Sequence, residues 1–157
     1  MRKKVIKSDA INRRSHSQEE WLDLEELARV EVTSEDPNFP IEFALAQGEG
    51  GWRAAEKGAQ TIRIVFDIPR MLHRIKLEFT EAEIQRTQEF TLQRSTPVGG
   101  PLTEIVRQQW NFNPQGSTRE VEGYEVRLEN LSILELAIKP DLTLIHAFAT
   151  LARCRVA

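Results

Sequence analysis

Three histidines, one cysteine and 24 carboxylates are the residues from which this chain could build catalysis. Their spacing decides against most of that chemistry. His16, His73 and His146 stand far apart, each without a second histidine, cysteine or carboxylate at metal-ligand spacing. His73 falls in or beside a strand, where a histidine is expected to be a satisfied structural residue. Cys154 sits in an apolar closing segment and reads as an inert buried thiol rather than a nucleophile. There is no Gly-x-Ser-x-Gly elbow, no phosphate-binding loop and no dinucleotide fingerprint. Glu81 and Glu83 could be drawn as a catalytic carboxylate pair, but their surroundings read as a solvated turn. Nothing here points to an enzyme.

Binding chemistry has better material. Trp52, Arg53 and Lys57 lie in the stretch 47–59, which also holds Gly48, Gly50, Gly51 and Gly58. A long loop on a rigid scaffold is a common seat of function. Glu81, Arg86 and Arg119 stand at the edges of other turns. Each residue also has a plainer reading. Trp52 can plug the end of a core, and Trp110, in phase with Val106 and Phe112, is expected to be core. Arg53 and Arg86 can be ordinary surface or ion-pair residues.

The elements that must position these side chains are strands. In 60–68, Ile62, Ile64, Phe66 and Ile68 recur at every second residue, and in 72–79 Ile75, Leu77 and Phe79 do the same. Period two means half-buried strands, here separated at Pro69. Further strands are expected at 28–34, 89–94, 105–112, from 120 through Leu128, at 133–138 and at 148–156. Turn signals lie at Glu35-Asp36-Pro37-Asn38, 95–103, 113–118, Asn130 and 139–141. Ser17-Gln18-Glu19-Glu20 fits a capping box and opens a short helix at 18–27, with Trp21, Leu24 and Leu27 as its packed stripe. Segment 41–46 fits either a helical turn or an edge strand. The expected fold is all-β, a jelly-roll β-sandwich of about eight antiparallel strands with a short N-terminal helix.

At 157 residues, 40% hydrophobic and 29% charged, the chain has the composition of one globular domain. No apolar run is long enough for a membrane helix. The absence of a secretory h-region and the single cysteine suggest a cytoplasmic protein without membrane partners. The net charge of −3 is uneven, because residues 1–14 carry six cations against Asp9 alone. Residues 1–16 are therefore expected to be a basic flexible arm, and 17–157 the domain.

The run 52–66, WRAAEKGAQTIRIVF, with the strand rhythm over about residues 28–156, resembles the galactose-binding-like jelly-roll superfamily. That superfamily includes discoidin and the coagulation-factor C-type domains. The same phrase is similar to the amino-terminal domain of the single-strand-break repair scaffold. The terminal cysteine pair of the extracellular discoidin domains is lacking, so their membrane roles are not carried over.

The resemblance implies a non-catalytic binding module, for carbohydrate or another polar small ligand, with the ligand at loops on one end. If consecutive strands run antiparallel, loops 47–60, 80–87, 113–118 and 139–147 share one end, and 69–71, 95–103 and 129–131 the other. The first end collects Trp52, Arg53, Lys57, Glu81, Arg86 and Arg119 as ligand-binding candidates, with Asp141 and His146 beside them. A sugar needs an aromatic face for its C–H surface and charged groups for its hydroxyls. Calcium in the loop 35–38 is carried as a candidate ion, as some relatives of this fold hold one. The alternative is a scaffold domain for a protein or nucleic-acid partner, suggested by the repair-scaffold similarity and the basic arm.

Overall fold

The computed structural model describes residues 21–45, 50–96, 100–143 and 146–157. The basic arm at 1–16 and the capping box lie outside the described residues. Within them the order is α1 (Leu24–Leu27), β1 (Ala28–Val32), α2 (Glu42–Leu45), β2 (Trp52–Lys57), β3 (Gln60–Thr80) and β4 (Arg86–Ser95). Then come β5 (Thr103–Phe112), β6 (Arg119–Lys139), β7 (Phe148–Leu151) and β8 (Arg153–Val156). All the strand pairings are antiparallel, in the order β1-β3-β6-β4-β5 with β8 also on β3, and β2 with β7 as a separate pair.

Two 21-residue strands, β3 and β6, run through the whole fold. Their register is regular from Gln60↔Ile138 to Val65↔Ile133 and again from Arg74↔Glu125 to Thr80↔Arg119, and it shifts in between. The first half of β3 has β1 on its other edge, and the second half has β8. The shift lets the sheet fold over on itself. Phe79 of β3 stacks on Phe90 of β4 at 5.2 Å between ring centroids although these strands share no ladder. That apposed layer is the core, where Ile62, Ile75, Leu77, Phe90, Phe112 and Leu134 are at most 2% exposed.

The strand expectations change at four places. Residues 60–68 and 72–79 are one strand, because Pro69, which has no N–H to donate, falls within the register shift where the ladder asks nothing of it. The same holds for 129–131, a bend inside β6 with Asn130 at φ 54° rather than a loop between strands. Trp52–Lys57 is a strand, not loop. The expected closing strand at 148–156 divides into β7 and β8, which pair with β2 and β3 respectively.

The helix expected at 18–27 is, among the described residues, one turn capped by Asp23, whose carboxylate accepts from the Glu25 amide at 3.1 Å. Leu22 lies before that turn, and its amide donates to the Val156 carbonyl at 2.8 Å. That edge bond on β8 takes the backbone group a helix would have used.

Candidate functional site

Four connections meet at one end of the sandwich through backbone bonds. The Glu81 amide donates to the Thr118 carbonyl, the Leu142 amide to Thr87 and the Gly58 amide to Ala147, at 2.9, 2.9 and 3.0 Å. The turn after β3 is thereby tied to that after β5, and the connection after β6 to the turn after β2 and to the start of β4. The bends at 69–71 and 129–131 lie in mid-strand and so form no opposite loop end.

The residues proposed for ligand binding separate into two groups and two single residues. Arg53 and Lys57 come together on the face of β2 that points away from the core. Trp52 and Ala54 alternate with them and are buried, as are Ala149 and Leu151 of β7. Lys57 pairs with Phe148 and Arg53 with Thr150 across the ladder. The Arg53 guanidinium carbon lies 4.6 Å from the Phe148 ring centroid, and the Lys57 Nζ 5.8 Å from it. Cation–π attraction of about 0.5–1 kcal/mol at such exposed sites keeps both cations near the ring. The other edge of β2 is fixed by the segment 34–39. There the Arg53 amide donates to Phe39, the Asp36 amide to Arg53, and the Ala55 amide to the Ser34 hydroxyl. Exposed His146 follows two residues before Phe148.

Glu81 and Arg86 form a second group, but inside the end rather than on it. The Arg86 side chain is fully out of solvent, and its Nε donates to Glu81 at 2.7 Å. Its Nη1 donates to Gln88 at 3.1 Å and to the Pro140 carbonyl at 2.7 Å, while the Phe112 ring lies 4.8 Å from the guanidinium carbon. Burial works to raise the Glu81 carboxyl. The Arg86 bond, the Glu83 and Ile84 amides and the guanidinium charge outweigh it and hold the group below its ordinary value. Arg86 is thus a buried strut between two loops, with no donor offered to a ligand from the surface.

The strut continues inward. Gln88 donates to Glu120 at 3.1 Å, and Glu122 is the next residue on the same face of β6. Burial first, then the neighbouring Glu122 carboxylate, push Glu120 up to about 9, against the Gln88 amide and the Arg86 charge. Tyr124, next on the same face of β6, is pushed up to about 12 by burial and by both carboxylates.

Trp52 and Arg119 fall outside both groups. Trp52 is 1% exposed, and its indole N–H donates to the Ser34 carbonyl at 3.2 Å. With both faces in the core it has none for a sugar, which corrects the expectation that placed it in the site. Arg119 pairs with Glu78 on the outer face of the β3–β6 ladder. In the candidate calcium loop Glu35 accepts from the Ile41 amide at 2.7 Å and Asp36 from the Asn38 amide at 2.9 Å. Both carboxylates close the loop, and no three potential metal ligands converge among the described residues.

Phe148 is the functional candidate that the sequence did not single out. Its signal was present: a large aromatic at the outward parity of a segment whose Ala149 and Leu151 point inward. The platform it forms with Arg53 and Lys57 has hydrogen-bond donors and an apolar ring.

No family model matches the chain and no curated protein matches it. Solved structures do. A Clostridium perfringens domain, CpGH89CBM32-5 in complex with GalNAc-β-1,3-galactose, aligns over 87% of this chain and 99% of its own with a TM-score of 0.65 at 14% identity. The chain thus shares the all-β sandwich fold of this domain. The family 32 carbohydrate-binding module of C. perfringens NanJ in complex with galactose shares this fold over 85% of this chain and 94% of that one. Its TM-score is 0.60 and its identity 14%. The module of AlyQ in complex with 4,5-unsaturated mannuronic acid matches the fold over 88% and 98%, at a TM-score of 0.58 and 14% identity.

Proposed function

We propose that this protein is a non-catalytic carbohydrate-binding module whose ligand seats on Phe148 between Arg53 and Lys57. The observation that carries the reading is the pair of cations held at one outward aromatic ring. A pyranose offers C–H surface to a ring and oxygen acceptors around its rim. Arg and Lys carry donors only, so they select that rim. The fold adds support, since its solved neighbours are modules in complex with galactose, GalNAc-β-1,3-galactose and an unsaturated mannuronic acid. The buried Arg86–Glu81 strut then serves the site by fixing the loops beside it.

The experiment is thermal unfolding of the full chain against galactose, N-acetylgalactosamine and their oligomers, with Phe148→Ala alongside. A ligand at about 100 times its dissociation constant stabilises by roughly 2.7 kcal/mol. In a domain of this size that raises the midpoint by about 5–10 °C. A rise with one saccharide class that disappears in folded Phe148→Ala supports the reading. A flat response across the panel, or a rise that ignores Phe148→Ala, defeats it.

A further inference from the structure

The body of the protein is acidic, yet the outer face of the β8–β3–β6 ladder is basic. Arg74, Lys76, Arg153 and Arg155 alternate there with the buried Ile75, Leu77, Cys154 and Val156. Lys76 sits directly opposite Arg155 in the β3–β8 register. Like charges facing each other across a ladder are destabilising, and neither residue has an ion-pair partner among the described residues. On its other side Lys76 faces Gly123, where an added Cβ would meet nothing within 4 Å. The missing side chain leaves a cleft of about 240 Å³ beside Lys76, walled by Trp21 and by Arg74 and Glu125, themselves 3.7 Å apart.

We propose that this cleft is a second saccharide site, specific for an acidic sugar unit. The sugar ring would lie against Trp21, its carboxylate would meet Lys76 and Arg155, and its hydroxyls would reach Glu125. This rests on the saccharide-binding reading above and assigns it a further site and a charge. The cleft falls below the roughly 300–1,000 Å³ of drug-sized pockets, which suits a single ring. Glu78 and Glu125 punctuate the basic face. They oppose a continuous phosphate backbone but leave room for one carboxylate, so an acidic sugar fits better than a nucleic acid.

The test titrates the full chain with trigalacturonic acid and, separately, with a neutral galactose trimer, following amide and indole resonances by NMR. Trigalacturonic acid should move Trp21, Lys76 and Gly123, and the neutral trimer should leave them still. Lys76→Ala with Arg155→Ala should weaken the acidic sugar at this cleft by about tenfold or more. The same changes should leave neutral-sugar binding at Phe148 unaltered. Trp21→Ala should weaken the acidic sugar without changing the salt dependence of what remains. The inference falls if trigalacturonic acid perturbs only Phe148 and its neighbours, or if the double substitution leaves its affinity intact. It also falls if a single-stranded oligonucleotide outcompetes it at Trp21. Failure of the broader reading looks different: the neutral trimer would then move nothing at Phe148 while the cleft still answered to the acidic sugar.

Discussion

The Arg86 guanidinium meets the Glu81 carboxylate at 2.7 Å with the Arg86 side chain wholly buried and that of Glu81 16% exposed. The pair joins the start of β4 to the turn before it, and the same guanidinium holds Pro140 from a third connection. A buried ion pair adds little over apolar packing but is costly to break from one side. Glu81→Ala should therefore destabilise by about 3 kcal/mol or more, lowering the midpoint by roughly 6–12 °C. In a double-mutant cycle with Arg86→Met the two changes should couple by about 2 kcal/mol. Additivity within about 0.5 kcal/mol would show that the pair does not act as a unit.

Glu120 imposes a pH dependence of unusual sign. Its folded carboxyl is raised to about 9, by burial and then by Glu122. Between its unfolded value and 9 the native state holds a proton that the unfolded state has lost, so this group's contribution is fully present below the unfolded value and falls as pH rises. Glu120→Gln keeps an acceptor for Gln88 and removes the titration. Its midpoint should match wild type near pH 4 and exceed it by about 3 °C or more at pH 8. Parallel pH profiles for the two proteins would rule this out.

Glu81 works the other way. Its carboxyl is held low, so the stability it supplies is present above the unfolded value and is lost as pH falls through the folded one. Glu81→Gln should flatten the acid limb of the stability curve, as measured by urea unfolding between pH 2 and 6. An acid limb as steep as wild type would contradict it.

Gly51 and Gly58 both have positive φ, at 67° and 91°, but differ in their surroundings. A Cβ on Gly51 would stand 2.6 Å from the Leu151 carbonyl oxygen, whereas one on Gly58 would meet nothing within 4 Å. Gly58→Ala should cost only the left-handed backbone penalty of roughly 1–2 kcal/mol. Gly51→Ala should cost clearly more, since the β2–β7 pair must also move apart. Equal midpoints for the two variants would contradict the close approach at Leu151.

Cys154 is buried, and burial alone pushes its thiol up to about 12. A thiol-specific reagent at pH 8 should leave it untouched in the native protein and label it fully in denaturant. Rapid labelling without unfolding would show that β8 opens locally.

Much of the strand layout was written in local pattern. Ile62, Ile64 and Phe66, and then Ile75, Leu77 and Phe79, declare their inward face by alternation and are buried. Ile68, the last of the first set, is instead 77% exposed because it falls in the register shift between β3 and β6. Alternation reports a face but not a partner. Pro69 and Asn130 looked like ends of strands, yet each lies where β3 and β6 slip past one another, and a slip is a property of the pair. Trp52–Lys57 resembles a loop in sequence because glycines flank it and only two of its residues point inward. It becomes a strand because β7, about ninety residues on, supplies its ladder.

The sequence alone determined an all-β sandwich, most of the inward residues of its long strands and the charges available for binding, because side-chain period and turn chemistry are local. Tertiary structure decided which of those charges could reach a ligand. Trp52 turned into the core and Arg86 became a sealed strut, while Arg53 and Lys57 came to rest at Phe148. That outcome follows from edge pairing and register between distant strands, which are set by the packing of the whole sandwich and by no stretch of sequence read by itself.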